Sequence, residues 1–79
     1  MFYYAYVLRS LKDNNLNIGK SRDLKKRIKK HMLGQVEVTK GRLPIKLVYY
    51  EAYSNKEEWS KQELFYKSGI GRDTLKHKV

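Results

Sequence analysis

A short polar turn between two strand-like segments constrains this chain most. Residues 2–9, Phe-Tyr-Tyr-Ala-Tyr-Val-Leu-Arg, alternate aromatic and apolar positions and read as a strand with Tyr4, Tyr6 and Leu8 on one face. Lys12 to Asn15 is polar, with Asp13, Asn14 and Asn15 suited to Asx turns and left-handed geometry. Residues 16–20 then return as a second, shorter strand. A turn this short permits only an antiparallel hairpin, because a parallel return needs a crossover of a dozen residues or more.

Past the hairpin the period changes from two to 3.6. Ser21 is placed to cap a helix over residues 22–32, with Leu24, Ile28 and Met32 at helical spacing. Lys25, Lys26, Lys29 and Lys30 fill its remaining positions, so the outer face is cationic. Gly34 is the expected stop. Residues 35–44 read as a loop with a basic tip at Thr39-Lys40-Gly41-Arg42, and residues 46–53 as the third strand. Ser54 with Glu57 fits a capping box opening a helix that runs to about Lys67. Gly69 and Gly71 then break the chain before a short terminal helix over residues 72–78. The expected fold is therefore α/β of the α+β type: a small three-stranded antiparallel sheet flanked by helices, in the order β-β-α-β-α-α.

Size and composition bound the rest. Seventy-nine residues support one domain, residues 1–79, and a chain this short buries only about 60–65% of the surface its unfolded form exposes. It has no cysteine, so disulfides and Cys-based zinc sites are excluded. No apolar run approaches the roughly 18–20 residues of a membrane span, and the first residues do not read as a signal peptide. A cytoplasmic protein with no membrane partner is expected, and no small-molecule cofactor. Eighteen Lys and Arg against eight Asp and Glu give a net charge of +10. That density on a small domain attracts polyanions, nucleic acid first. A merely basic surface, or a protein-binding or ribosome-associated module, has the same charge. The seven tyrosines sit mostly in apolar company, where strand packing accounts for most of them.

Five polar side chains could converge: Tyr6 on the first strand, Lys20 closing the second, Arg27 and His31 one helical turn apart, and Glu63 on the later helix, without an obvious ion-pair partner there. Singly, each has an ordinary structural explanation. Together with Tyr4-Ala5-Tyr6, Asn17-Ile18-Gly19-Lys20 and residues 23–28, they resemble the GIY-YIG nuclease superfamily. The likeness extends over essentially the whole chain. It is similar to the small single-domain members and to the N-terminal domain of the excision-repair nuclease branch.

That resemblance implies metal-dependent hydrolysis of DNA phosphodiester bonds, in repair or recombination. Tyr6 matches the tyrosine that activates or positions the attacking water. Arg27 matches the arginine that stabilises charge on the scissile phosphate, and Glu63 the glutamate that holds one divalent cation, Mg²⁺ or Mn²⁺. His31 matches a position occupied by His or Tyr near the phosphate, and Lys20 a lysine that follows the second signature. The chemistry agrees with those roles. Arginine offers phosphate two parallel donors, which lysine cannot. A lone carboxylate suits Mg²⁺, which keeps most of its waters. Lys25, Lys26, Lys29, Lys30, Lys40 and Arg42 are the expected nucleic-acid contacts.

Two departures matter. Tyr4 stands where the first signature has glycine. Asn17 stands where the second has tyrosine, and asparagine can hydrogen-bond but cannot become a phenolate. Two readings follow: an endonuclease in which Asn17 substitutes for an orienting phenol, or a DNA-binding module of the same fold that cuts slowly or not at all.

Overall fold

The computed structural model describes residues 2–78. The chain forms β1 (Tyr3–Ser10), β2 (Leu16–Ser21), α1 (Leu24–Met32), α2 (Glu37–Lys40), β3 (Ile45–Tyr53), α3 (Lys56–Lys67) and α4 (Gly69–Lys78). The three strands make one antiparallel sheet in the order β2-β1-β3, as expected. The β1–β2 turn is tied by Asn15 N–H to Asp13 Oδ1 at 2.9 Å and Ser10 N–H to the Asn15 carbonyl at 2.9 Å. Asn14 supplies the left-handed residue, at φ 61°.

Central β1 separates two small cores. Tyr6 and Leu8 face α1 and pack with Ile28, Ile45, Leu24 and Leu47. Val7 faces the other way, with Tyr66, Leu75, Ile18 and Val48 under α3 and α4. Burying such side chains stabilises by roughly 1.5–3 kcal/mol each, so neither layer is dispensable in a chain this small.

A register shift opposite Val7 and Leu8 interrupts the β1–β3 ladder. Leu8 pairs with Leu47 and Val7 with Tyr49, so β3 carries one extra residue there. Strict alternation from Leu47 would put Tyr49, Glu51 and Tyr53 on the α1 face. The bulge reverses this: Tyr50 is paired with Tyr6 and shares its face. The phase of a strand is therefore set here by one inserted residue that alternation does not reveal.

The helix boundaries correct several expectations. Asp23, not Ser21, caps α1 by accepting the Lys26 N–H at 3.1 Å, while Ser21 Oγ braces Asp23 from outside. Asn55, not Ser54, caps α3, and its Oδ1 accepts from Glu57 and Glu58 N–H at 2.8 and 3.2 Å. In both places two nearby residues can cap, and the one whose side chain reaches the second or third helical N–H group does so. The 35–44 loop contains the four-residue α2, and α4 begins at Gly69 rather than after Gly71. Gly34, at φ 73°, follows α1 as expected. Among the described residues, no helix is long and apolar enough to cross a membrane.

Candidate functional site

The α1 face of the sheet holds a connected polar chain. Tyr6 Oη lies 2.9 Å from His31 Nε2, and Arg27 Nε donates to Tyr6 Oη at 3.4 Å. His31 Nδ1 lies 2.7 Å from Thr39 Oγ1, and Thr39 donates onward to the Val36 carbonyl at 3.5 Å. Tyr6, His31 and Thr39 are all buried, with Tyr6 only 2% exposed.

The network assigns the protons. Thr39 spends its hydrogen on the Val36 carbonyl, so its oxygen accepts from His31 Nδ1–H. Nε2 is then the imidazole acceptor. Tyr6 Oη accepts from Arg27 and keeps its own hydrogen to offer to Nε2. The Tyr6 end is compatible with the tautomer set at the Thr39 end, a neutral ring that accepts the tyrosine proton. Burial, reinforced by the Arg27 charge, holds His31 below its ordinary pKa of 6.5 and favours that neutral ring.

Each member is placed by a local rule. One helical turn separates Arg27 from His31, so both project from the face of α1 that meets the sheet. The Tyr6 ring lies over Gly19, directly across the β1–β2 pair. A Cβ at Gly19 would collide with the far end of that ring. The glycine of the second signature is thus the seat of the tyrosine of the first. Thr39 reaches His31 because α2 folds back beneath it. Sequence reading places Thr39 only in a basic tip, and no spacing links a hydroxyl in a loop to a histidine on a helix.

Glu63 and Lys20 form a second group. Lys20 Nζ pairs with Glu63 Oε1 at 3.1 Å, and Lys67 Nζ with Glu63 Oε2 at 3.2 Å. Contrary to expectation, Glu63 has ion-pair partners, one of them four residues along its own helix. Its side chain is only 12% exposed. Burial raises its pKa, but hydrogen bonds and charge from Lys20 and Lys67 outweigh that and hold the carboxyl below its ordinary range. Lys20 also lies over the Trp59 ring, 4.9 Å from its centroid.

The five expected residues therefore assemble as two clusters, not one. Tyr6, Arg27 and His31 interlock on the α1 face, and Lys20 and Glu63 on the α3 side. They meet at β2, where Gly19 seats Tyr6 and the next residue, Lys20, holds Glu63. No hydrogen bond joins the clusters among the described residues. Asn17 sits half-buried on the Tyr6 face of β2, across from Leu8.

The cation question turns on the donor set. No group of three or more His, Cys, Asp or Glu side chains gathers among the described residues. A cation that demands a protein cage does not suit this site. Glu63, an ionised hard-oxygen donor at a domain edge, fits one that keeps its waters and shares substrate oxygens.

The expected nucleic-acid contacts divide as well. Lys25, Lys26, Lys29 and Lys30 are exposed on α1, and Lys40 on α2. Arg42 is half-buried, with its carbonyl bound by Ser10 Oγ at 2.7 Å and its Nε 3.9 Å from Asp13. It ties the loop to the β1–β2 turn.

Comparison with known proteins bears on the family and the fold. A family model described as the GIY-YIG catalytic domain matches residues 2–75. The chain is 43% identical over 65 residues to UPF0213 protein CPE1444 of Clostridium perfringens, spanning 81% of this chain and 69% of that protein. It is 39% identical over 75 residues to UPF0213 protein SSP2268 of Staphylococcus saprophyticus, spanning 94% and 90%. The solution NMR structure of UPF0213 protein BH0048 from Bacillus halodurans matches with a TM-score of 0.59 at 36% identity, over 95% of this chain and 82% of that one.

Proposed function

The chain belongs to the GIY-YIG family, whose domain is a nuclease fold, and from that premise we propose that it is a DNA endonuclease whose site is built by Tyr6, Arg27, His31, Glu63 and Lys20. The observation that carries this reading is the Tyr6 oxygen, held between the Arg27 guanidinium and the acceptor nitrogen of a neutral histidine. A tyrosine that merely packs in a sheet needs one partner for its buried hydroxyl, not a cation and a proton acceptor together.

The arrangement gives each residue a task. Tyr6 passes its proton to His31 Nε2 as its oxygen takes one from the attacking water; the hydroxide bonds to phosphorus as the bond from phosphorus to the leaving oxygen breaks, and that oxygen takes a proton from solvent water. Thr39 fixes the imidazole so that the receiving nitrogen faces Tyr6. Arg27 offers its terminal nitrogens to the phosphate, whose charge grows in the transition state. Tyr6 is buried while Arg27 is half-exposed, so an incoming phosphate meets Arg27 first. The 3.4 Å contact between Arg27 and Tyr6 is the one that yields. Glu63 would hold the divalent cation, Mg²⁺ or Mn²⁺, releasing Lys20 and Lys67. When bound, the cation supplies counter-charge to the phosphate oxygens. Nicked, branched or otherwise distorted DNA of repair or recombination is the expected substrate.

A cleavage assay on nicked and branched DNA with Mg²⁺ or Mn²⁺ tests this directly. Arg27→Ala should lower the rate by about 10²–10³, as losing one transition-state donor does, with little change in binding. Glu63→Ala should abolish the metal response. Variants that cut as well as wild type would remove the assignment.

Asn17 supports a second reading, a DNA-binding module of the same fold. No phenol stands at that half-buried position facing α1, so any second proton carrier is absent from it. Asn17→Tyr separates the two: a rise from no cleavage to measurable cleavage favours the binding module, and an unchanged rate favours the enzyme.

A further inference from the structure

The same face of the sheet carries a groove that the proposed chemistry does not use. It has a volume of about 820 Å³ and is lined by Tyr4, Tyr50, Ile28 and Leu47, with Arg22, Asp23 and Lys25 at its rim. Tyr4 is two residues from Tyr6 on β1, so the two rings leave the same face about 6.6–6.8 Å apart along the strand. Tyr50 stands directly across from Tyr6 on β3.

The bulge in β3 is what puts Tyr50 there. Without the register shift at Val7 and Leu8, Tyr50 would face α3 and α4. Instead the Tyr4 and Tyr50 rings lie with centroids 6.3 Å apart, tilted by 57°, and Phe2 extends the row 6.4 Å from Tyr4. Phe2 is 51% exposed and Tyr50 53%. The bulge carries Glu51 and Tyr53 to the α3 side and leaves Tyr50 as an exposed ring on the α1 face. Bulges beside active sites commonly re-aim a side chain in this way.

Resting on the nuclease reading, we propose that this aromatic groove is a subsite for an unpaired nucleobase of the strand being cut. The occupant follows from chemistry and position. An open apolar floor with exposed rings suits a flat aromatic ligand, since every base has a face to stack. Lys25 and Arg22 provide cationic partners for the phosphate attached to it, and the Asp23 carboxylate at the same rim is already engaged in capping α1. Arg22 also lies over the Tyr3 ring, 5.0 Å from its centroid. The lysine face of α1 continues the positive track. The groove adjoins Tyr6, so a base held there sets the next phosphate at the reacting oxygen. A base can enter it only when unpaired, so a frayed, flapped or single-stranded segment is selected over intact duplex.

Fluorescence anisotropy with a labelled oligothymidylate and with a fully paired duplex, at one fixed salt concentration, tests the subsite. Tyr50→Ala should weaken single-strand binding by about 5- to 100-fold, the range that loss of one base–aromatic stack gives, and leave duplex binding within about twofold. Tyr50→Trp should retain single-strand binding, and thermal unfolding of both variants monitors the fold. Loss of both affinities together, or of neither, overturns the subsite. In that case cleavage of nicked duplex by wild type, lost in Arg27→Ala, would leave the nuclease reading standing. Failure of wild type to bind either nucleic acid at low salt removes both.

Discussion

At the scale of single residues, the site depends on how close Tyr6 comes to Gly19 and on the proton state of His31. A methyl group at position 19 has no space beneath the tyrosine ring. Gly19→Ala should therefore displace the phenol from His31 and Arg27. We expect it to lower cleavage about as far as Tyr6→Phe does, while affinity for DNA, carried by lysines elsewhere, stays within about twofold on the logic of phosphate contacts. Rate and affinity measured on the same variant would separate these effects. Acidification should act through His31. Its folded-state pKa is below 6.5, so the neutral ring that receives the tyrosine proton is present at neutral pH and is lost as pH falls below that lowered value. The same shift bears on stability. Below pH 6.5 the unfolded chain takes up a proton that the folded chain resists, so stability should decline from there until the folded-state pKa is reached. Rate and urea midpoint followed between about pH 5 and 8 should both fall on the acid side, and Thr39→Val should move the rate profile.

At the scale of elements, β3 is the strand that serves both faces. Glu51 and Tyr53 lie beyond the bulge, on the α3 side. Glu51 Oε1 accepts from Tyr66 at 2.7 Å and Tyr53 at 2.8 Å, and Lys78 reaches Tyr66 and Tyr49 at 3.4 Å. Burial raises the Glu51 pKa, but the hydrogen bonds from Tyr66, Tyr53 and Tyr49 outweigh it, and the carboxyl lies below its ordinary range. Burial and the Glu51 bond push Tyr66 up to about 12. This cluster clamps α3 and α4 to the sheet, so Tyr66→Phe should cost about 1.5–3 kcal/mol in urea unfolding, the range for a bond to a charged group. Because Glu51 is depressed, its contribution is complete above pH 4.5 and disappears as pH falls through its folded value.

What could be read from sequence divides along the same lines. Strand and helix positions were legible because periods of 2 and 3.6 are local, and so were Tyr6, Arg27 and His31, which lie on elements with a clear inward face. The bulge, the Thr39 contact and the separation of Glu63 from Tyr6 were not. Each depends on pairing between segments distant in sequence, which alternation and helical spacing do not encode. The caps were missed by one or two residues because Ser21 and Asp23, and Ser54 and Asn55, are both chemically able to cap.

At the scale of the whole molecule, the +10 charge matters through its distribution over the two sides of the sheet. Lys26 and Lys30 project from α1, on the side of Tyr6 and Arg27, whereas Lys56 and Lys61 project from α3 on the opposite side. DNA placed with its scissile phosphate at Arg27 lies along α1, reaches α3 only at Glu63 and leaves the rest of that helix facing solvent. Each phosphate neutralised contributes about 0.9 to the slope of log affinity against log salt on duplex DNA. The Lys26→Gln, Lys30→Gln double variant should therefore flatten that slope by about 1.8, with weaker binding at every salt concentration. The matching Lys56→Gln, Lys61→Gln variant removes the same net charge but should leave the slope unchanged within about 0.3, since a long-range effect of charge alone is screened beyond roughly 10 Å at 0.1 M salt. Equal flattening by both pairs would mean that DNA is held by diffuse charge rather than docked on the face that carries Tyr6. A salt titration of the two double variants side by side distinguishes a positioned substrate from a merely attracted one.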